Sequence, residues 1–420
     1  MEEVRGFKAL TPIAEAQRAV LSALTHVPNA VEVPLPQAVG KYAAADVVAP
    51  FDVPPFDRAA FDGYAVRSED TLGASRTNPL MLRLVGRAVP GSPYEKTLGP
   101  GEAVEVATGA PLPPGADAVV PYEEAVARGD YVEVYKPVPK YYYVSRRGED
   151  VSAGEVVVRR GRRIKPWDVG VLASLGVKTV AVYKVDAAVI ATGSELVELE
   201  DAPPPPGKII NSTRFVLEAL LREAGAEPHY LGVVPDDEEA IYKKVADALA
   251  RYDLVITTGG VSVGQPDYVV SAVRRLGPEV LVHGIAARPG RPNSAAVVKG
   301  KLVAMLSGFP VASVVGYEVF VKPAILKMVG GAEEPLPRVR AVLTRRVTTP
   351  INVRSFVRVR LCRKGDKTYA EPLAVTGSGI LSTLTRGNGL LVIPENREGY
   401  DEGDEVEVTA LGPVEDCQPT

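Results

Sequence analysis

The sequence predicts a multidomain α/β-plus-β protein, with a doubly wound α/β unit at its centre and β-barrel or β-sheet units around it. Three observations carry this expectation. From about residue 31 to 160 the chain runs as short β segments punctuated by Gly and Pro. Between 186 and 328 apolar strands alternate with amphipathic helices. After Gly330-Gly331 the β pattern returns. A length of 420 residues suits about three domains at roughly 150 residues each.

The first element reads as a helix. Thr11 can cap it, Pro12 suits the first helical position, and Ile13, Val20 and Leu24 form an apolar stripe. The segments VEVPL, AADVVAP, LMLRLVG, EAVEVATG, DAVVPYE, YVEVY and EVVVRRG follow, with turn residues in nearly every gap. Tyr141-Tyr142-Tyr143 reads as a β-edge or interface patch. The next section opens on a strand at 186–191 that ends in Thr192-Gly193-Ser194-Glu195. A helix is expected from Ser212 to Ala224, with Gly225 just past its end. Strand 228–234 precedes a helix opened by Asp236-Asp237-Glu238-Glu239, with Ile241, Val245 and Leu249 on one face. Strand 253–258 ends in Gly259-Gly260, and a helix follows Pro266 with Val269, Val273 and Leu276 inward. Strands 279–283 and 302–306 and a helix near 311–328 complete a parallel sheet with right-handed crossovers. Strand-like segments VRAVLTRRV, SFVRVRLCR, TYAEPL, GLLVIPE and DEVEVTAL then form a C-terminal β unit, and GPVEDCQPT reads as a loose tail.

Composition narrows the function. With 46% hydrophobic and 24% charged residues the chain has ordinary globular composition. Fifty-two acids against 48 bases give a net charge of −4, which argues against nucleic acid as a main partner. No stretch reaches 18 consecutive apolar residues, so no membrane-spanning helix is expected. The opening MEEVRGFKAL lacks a cationic region followed by an apolar run, so a secretory signal is not expected and the cytoplasm is the expected location. Cys362 and Cys417 are too few for a zinc site or a disulfide framework. With three histidines, any metal should be a hard, oxygen-ligated cation. Scarce Asn and Gln, with abundant Arg, Glu and Pro, point to a thermophilic source.

In an open α/β sheet, ligands bind beyond the carboxyl ends of the strands. Two such ends stand out: Thr192-Gly193-Ser194-Glu195, and Thr257-Thr258-Gly259-Gly260-Val261-Ser262-Val263-Gly264 with Asp267 behind it. Glycines there let backbone N–H groups approach an anion. Gln265-Pro266 stands where a Walker A loop needs Lys-Ser/Thr, and no strand–turn–helix stretch carries G-x-G-x-x-G. Taken singly, the acids have structural readings. Asp236 with Glu239 has capping-box spacing, Asp267 sits in a first helical turn, Asp62 could serve a turn and Asp150 a surface ion pair. Together, Glu195, Asp236 and Asp267 could hold a divalent cation against a phosphate. Arg288-Pro289-Gly290-Arg291-Pro292 makes a basic corner suited to oxyanions.

These motifs together resemble the molybdopterin molybdenumtransferase family (MoeA-type, including the C-terminal domain of gephyrin). The matching stretches are FDVPPFDRAAFDGYAVR (51–67), VATGAPLPPGADAVV (106–120), RRGEDV (146–151), ATGSEL (191–196), TTGGVSVGQPDY (257–268), RPGRP (288–292) and GSGILSTL (377–384). The first and fifth are the most specific, and their order covers nearly the whole chain. The resemblance implies insertion of molybdate, or tungstate, into adenylylated molybdopterin with release of AMP, aided by Mg²⁺ or a similar cation. It implies a homodimer whose cleft lies between the α/β domain of one subunit and β domains of the other. A transient partner would be a MogA/MoaB-like adenylyltransferase. The implied domains are a discontinuous connecting domain (1–46 and 149–184), an inserted β domain (47–148), a MogA-like α/β domain (185–331), a C-terminal β domain (332–411) and a tail (412–420).

By motif match, Glu195, Asp236 and Asp267 would handle the cation and phosphates. Thr192, Gly193, Gly259, Gly260, Ser262 and Gly264 would cradle the pterin or adenylate. Arg288 and Arg291 would hold the anionic ligand, and Arg358 with Ser378 would face molybdate. Asp62, Thr108 and Asp150 would reach in from the β and connecting domains. The chain departs from the family where arginines replace lysines in the K-P-G-K turn, where His283-Gly284 replaces an upstream lysine, and where Ser307-Gly308-Phe309-Pro310 replaces P-G-N-P. Two other readings share the fold: a gephyrin-like scaffold without catalysis, and a molybdopterin adenylyltransferase-type nucleotide enzyme.

Overall fold

The computed structural model describes residues 10–260, 267–374 and 377–417. Its central sheet has six strands: β1 (Asp186–Thr192), β2 (Glu227–Val234), β3 (Leu254–Thr258), β4 (Val280–Val282), β5 (Ser294–Val298) and β6 (Lys301–Leu306). Their spatial order is β2-β1-β3-β6-β5-β4. Strands β2, β1, β3 and β6 are parallel, but β5 runs antiparallel to both neighbours. The sheet is therefore mixed where an all-parallel one is expected. The cause is a tight hairpin: Lys299 and Gly300, the two residues between β5 and β6, both have positive φ (51° and 72°). That is the type I′ signature, made here without the usual Asn-Gly or Asp-Gly.

Successive side chains of β1 serve opposite faces. Ala187 and Val189 join one core; Ala188 and Ile190 join the other. Helices Glu238–Arg251 and Tyr268–Arg275 cover the second face with Ile241, Val245, Val269 and Val273. Helix Ser212–Glu223 covers the first with Leu217 and Leu221, beside a long helix whose α segments Pro310–Gly316 and Lys322–Val329 flank a π turn at Tyr317–Val321. Helix Ile13–Ala23 lies on this face too. Its Ile13, Ala16 and Val20 share the core of Val282, Ala295 and Val297, so the first element belongs by packing to the α/β sheet.

Strand Ala30–Pro34 pairs antiparallel with Thr179–Tyr183, and Val47–Val48 with Val156–Val158. Around them Leu35, Ile164, Leu172 and Val180 form a small core. Between these segments runs a six-stranded sheet in the order 118–121, 63–66, 102–106, 80–88, 131–134 and 125–128. In the C-terminal part, strand Arg354–Lys364 pairs with both Lys367–Ala374 and Gly389–Ile393, closing a barrel with Arg338–Leu343 and Glu405–Ala410. Ala287–Arg288 adds in parallel to Arg354–Ser355, so the arginine corner is hitched to the barrel.

Residues 415–417, expected in a loose tail, are tied to the barrel. Glu415–Asp416 pairs with Cys362–Arg363, Arg360 reaches Glu415 at 3.4 Å, and Cys417 is disulfide-bonded to Cys362. Two cysteines that are too few for a framework thus form one clasp. Among the described residues no helix is long and apolar enough to cross a membrane.

Candidate active site

A cleft of about 620 Å³ opens at the carboxyl ends of β1, β3 and β6, lined among others by Thr192, Glu195, Thr258, Gly259, Gly260 and Ser307. Its floor depends on glycine. Gly259 has φ 86°, and a Cβ there would stand 2.2 Å from the Thr192 carbonyl oxygen; at Gly260, φ 62°, it would stand 2.6 Å from Val269. Only a backbone without side chains lets β1 and β3 end this close together. Thr192 is buried, and its hydroxyl donates to the Thr258 carbonyl at 3.2 Å, so its side chain ties the two strand ends and leaves its backbone to line the cleft.

The acids divide. Glu195 lines the cleft and folds its carboxylate over Gly193, whose Cβ position lies 2.6 Å from Oε2. Asp236 faces the same turn: Ser194 offers its N–H and hydroxyl to Asp236 Oδ2, each at 3.4 Å. Asp237 takes the helix cap, accepting from the Ala240 N–H at 2.8 Å, which leaves Asp236 exposed at the cleft edge. Asp267 does cap its helix, accepting from the Val270 N–H at 3.1 Å, and its other oxygen lies 3.0 Å from His283 Nε2. Ser262 and Gly264 lie outside the described residues.

Among the described residues no three His, Cys, Asp or Glu side chains gather into a metal cage. The expected set of Glu195, Asp236 and Asp267 is therefore not preassembled. Glu195 in the cleft matches the small demand of Mg²⁺, which keeps its waters and takes one or two carboxylates plus substrate phosphates.

A second cavity of about 590 Å³ adjoins the first and shares Pro292, Ser307 and Phe309 with it. Arg288, Arg291, Arg358 and Ser378 line it. Among the described residues none of these three arginines has a carboxylate within ion-pair distance, although most arginines of the barrel do. Arg358 is the extreme case. It is 2% exposed, its Nε donates to Thr383 Oγ1 at 3.1 Å and its Nη1 to the Phe356 carbonyl at 3.2 Å. Its Nη2 has no acceptor. Burial pushes its pKa below the usual guanidinium value, but arginine at neutral pH stays charged. A buried, unpaired cation is costly unless an anion joins it.

Asp62, Thr108 and Asp150 sit elsewhere. Thr108 donates its N–H (2.6 Å) and hydroxyl (2.9 Å) to Asp62 Oδ1, and these bonds hold the Asp62 pKa below the ordinary carboxylate value. Asp150 donates its N–H to Val53 and exposes its carboxylate. Among the described residues no hydrogen bond or ion pair joins these three to the cleft within one chain. Beside them the tyrosine run is not a strand: Tyr141 and Tyr143 have positive φ, and Tyr143 stacks on exposed Phe61 with centroids 4.6 Å apart.

Reading the sequence missed the residue that shapes the arginine corner. Asn293 is fully buried, donates to the Ala312 carbonyl at 2.7 Å and accepts from the Ser307 N–H at 2.8 Å. It locks the turn after Pro292 to the loop after β6. Its one signal was its place directly after R-P-G-R-P.

An open sheet with glycine-paved strand ends, an acid in the cleft and three arginines in the cavity beside it defines a class: multidomain α/β-plus-β proteins with a cleft suited to an anionic ligand. Three family models locate the chain more closely. Residues 11–176 match the MoeA N-terminal region (domain I and II), 188–327 a probable molybdopterin binding domain, and 340–411 the MoeA C-terminal region (domain IV). A Methanocaldococcus jannaschii protein named for molybdopterin biosynthesis is 39% identical, covering 96% of this chain and 99% of its own. The molybdopterin molybdenumtransferase of Bacillus subtilis is 36% identical over 90% of this chain and 89% of its own. A crystal structure of a molybdopterin biosynthesis MoeA protein from Pyrococcus horikoshii superposes with a TM-score of 0.81 at 35% identity, covering 96% of this chain and all of that one. The chain belongs to the MoeA family of molybdopterin molybdenumtransferases.

Proposed function

We propose that the protein is the transferase that inserts molybdate, or tungstate, into adenylylated molybdopterin and releases AMP, the last step of molybdenum cofactor biosynthesis. One observation supports this reading above the others: a cavity with three arginines that, among the described residues, no carboxylate neutralises, adjoining a cleft large enough for a pterin or nucleotide. A tetrahedral dianion needs guanidinium and hydroxyl donors, and Arg291, Arg358 and Ser378 supply them beside Arg288. The thiolates that take the metal belong to the pterin, which agrees with a site that holds no cysteine.

The geometry supports a division of labour. The backbone of Gly259 and Gly260 approaches the adenylate or pterin phosphate, where a side chain would block it. Glu195, Asp236 and Asp267 would hold Mg²⁺ with the substrate's phosphates. Bound there, the cation would offset phosphate charge as the adenylate leaves. Asp267 is pre-oriented by the Val270 N–H and His283, so it loses little freedom when a ligand arrives. Asp62 and Thr108 are locked together on an exposed edge, as a group that completes another subunit's cleft would be. A homodimer with a shared cleft accounts for them, and for Asp150. Contact with a MogA/MoaB-like adenylyltransferase would supply the substrate. A cytoplasmic location and a thermophilic source complete the reading; the scarcity of Asn and Gln supports the latter.

The test is AMP release from adenylylated molybdopterin with Mg²⁺ and either molybdate or tungstate. Oxyanion-dependent AMP is expected, and its absence would overturn the assignment. Asp267→Asn keeps a capping side chain and should fold, but should lose the reaction.

A further inference from the structure

A third cavity lies on the far side of Arg358 from the cleft. It encloses about 470 Å³ between the long helix and the barrel, and its wall is mostly apolar: Val314, Val315, Phe356, Leu384 and Leu390 are typical. That volume lies within the range of small-molecule sites. Among the described residues, none that lines the cleft lines it, and the only group it shares with the arginine cavity is Arg358.

The charges around it are mostly settled. Glu318 pairs with Lys322 at 3.1 Å, Glu334 with Lys165 at 3.4 Å and Arg338 with Glu407 at 2.7 Å. Glu333 is exposed at the mouth and stays hydrated. What remains is Arg358, buried, without a carboxylate and with Nη2 unsatisfied among the described residues. An apolar chamber with one unpaired buried cation in its wall selects for a molecule with the opposite pattern: an apolar body and one anionic head. Such a ligand buries hydrocarbon against the valines and leucines and brings an anion to the Arg358 guanidinium that lines the wall.

We propose that this cavity binds a small amphipathic monocarboxylate whose carboxylate engages Arg358. The same guanidinium lines the oxyanion cavity, so the ligand draws on a group the molybdate site needs. Occupancy of the apolar cavity then weakens oxyanion binding, and by linkage molybdate weakens the carboxylate. This coupling rests on the oxyanion reading above; the binding itself does not.

Calorimetric titration of the full chain with octanoate, 1-octanol and molybdate tests both parts. Octanoate should bind, and 1-octanol, with the same chain and no charge, should bind at least tenfold more weakly. Val314→Trp, which fills the chamber from a position that lines neither the cleft nor the arginine cavity, should abolish octanoate binding while AMP release without octanoate is unchanged. Saturating molybdate should weaken octanoate at least fivefold. Failure of octanoate to bind, equal binding of 1-octanol, or full binding to Val314→Trp each overturns the site and leaves the transferase reading standing. Octanoate binding that ignores molybdate overturns the coupling through Arg358.

Discussion

Asp236 and Asp237 are neighbours with separate tasks. The Asp237 carboxylate accepts the Ala240 N–H at 2.8 Å and caps helix Glu238–Arg251, while Asp236 Oδ2 takes the Ser194 N–H and hydroxyl across the rim of the cleft. Replacing an N-cap aspartate by alanine costs about 0.5–2 kcal/mol. Asp237→Ala should therefore lower stability by roughly 1 kcal/mol and leave turnover per folded molecule close to wild type. Asp236→Ala should do the reverse. Urea unfolding and AMP release, measured on both variants, separate the two; equal activity loss in both would refute the division.

Arg358 offers a test of a different kind. The usual price of deleting a buried side chain is stability, yet here the deleted group is a desolvated charge with no carboxylate partner among the described residues. Arg358→Met should lose molybdate binding at least tenfold while the melting temperature holds or rises. A large fall in melting temperature would mean that the bonds to Thr383 and Phe356 matter more than the burial of the charge.

The Cys362–Cys417 clasp closes a sequence separation of 55 residues. In the chain-entropy account a loop of that length stabilises by roughly 4 kcal/mol, and the beneficiaries are the barrel and its last strand. Dithiothreitol, or Cys417→Ser, should lower the barrel's melting transition. Thiol titration of the unfolded, unreduced protein should find none free. Two free thiols in freshly prepared protein would show that the clasp stays open in its native compartment.

All three histidines of the chain pair with aspartate: His26 with Asp253 at 2.7 Å, His229 with Asp186 at 2.8 Å and His283 with Asp267 at 3.0 Å. Burial would raise the Asp186 pKa, but hydrogen bonds from His229 and Lys184 outweigh it, and the net shift is downward. A carboxylate with a depressed folded pKa adds stability above its unfolded pKa, and that stability is lost as pH falls through the folded one. Acid unfolding below about pH 4 should therefore be shallower in Asp186→Asn. In His229→Gln the loss should begin at higher pH, because one of the bonds that lowers Asp186 is weakened. Thermal melts from about pH 2.5 to 6, which spans the carboxylate range, read both.

How much of this the amino acids disclose depends on the range of the interaction. The alternation of β1, β2 and β3 with helices is written in local periodicity, and the cleft follows from it because ligands gather at strand ends. Gly259 and Glu195 were legible for that reason. Strand β5 was not: SAAVV carries no strand-like alternation, since it is buried on both faces, and its Lys299-Gly300 turn lacks the usual residues. Asn293 works through the carbonyl of Ala312 and the N–H of Ser307, and such long-range partners leave no local pattern. The clasp joins residues 55 apart, so its pairing depends on the barrel having already brought them together. The choice between Asp236 and Asp237 as cap turns on where one residue begins to be helical, which patterns fix only to within a few positions.

Asp62 and Thr108 lead to the last prediction. They are bonded to each other at 2.6 and 2.9 Å yet, among the described residues, share no bond with the cleft of their own chain. If they complete the cleft of a second copy, a defect there and a defect at Asp267 damage opposite halves of each site. Asp62→Ala and Asp267→Asn should each be inactive alone. Mixed in equal amounts under conditions that exchange subunits, half of the dimers carry one of each, and in those one of the two clefts is made entirely of wild-type halves. Activity should return to about a quarter of wild type in a C₂ dimer. If the two aspartates instead served one chain's own site, no mixture of the two variants could restore any cleft, and AMP release would stay at zero.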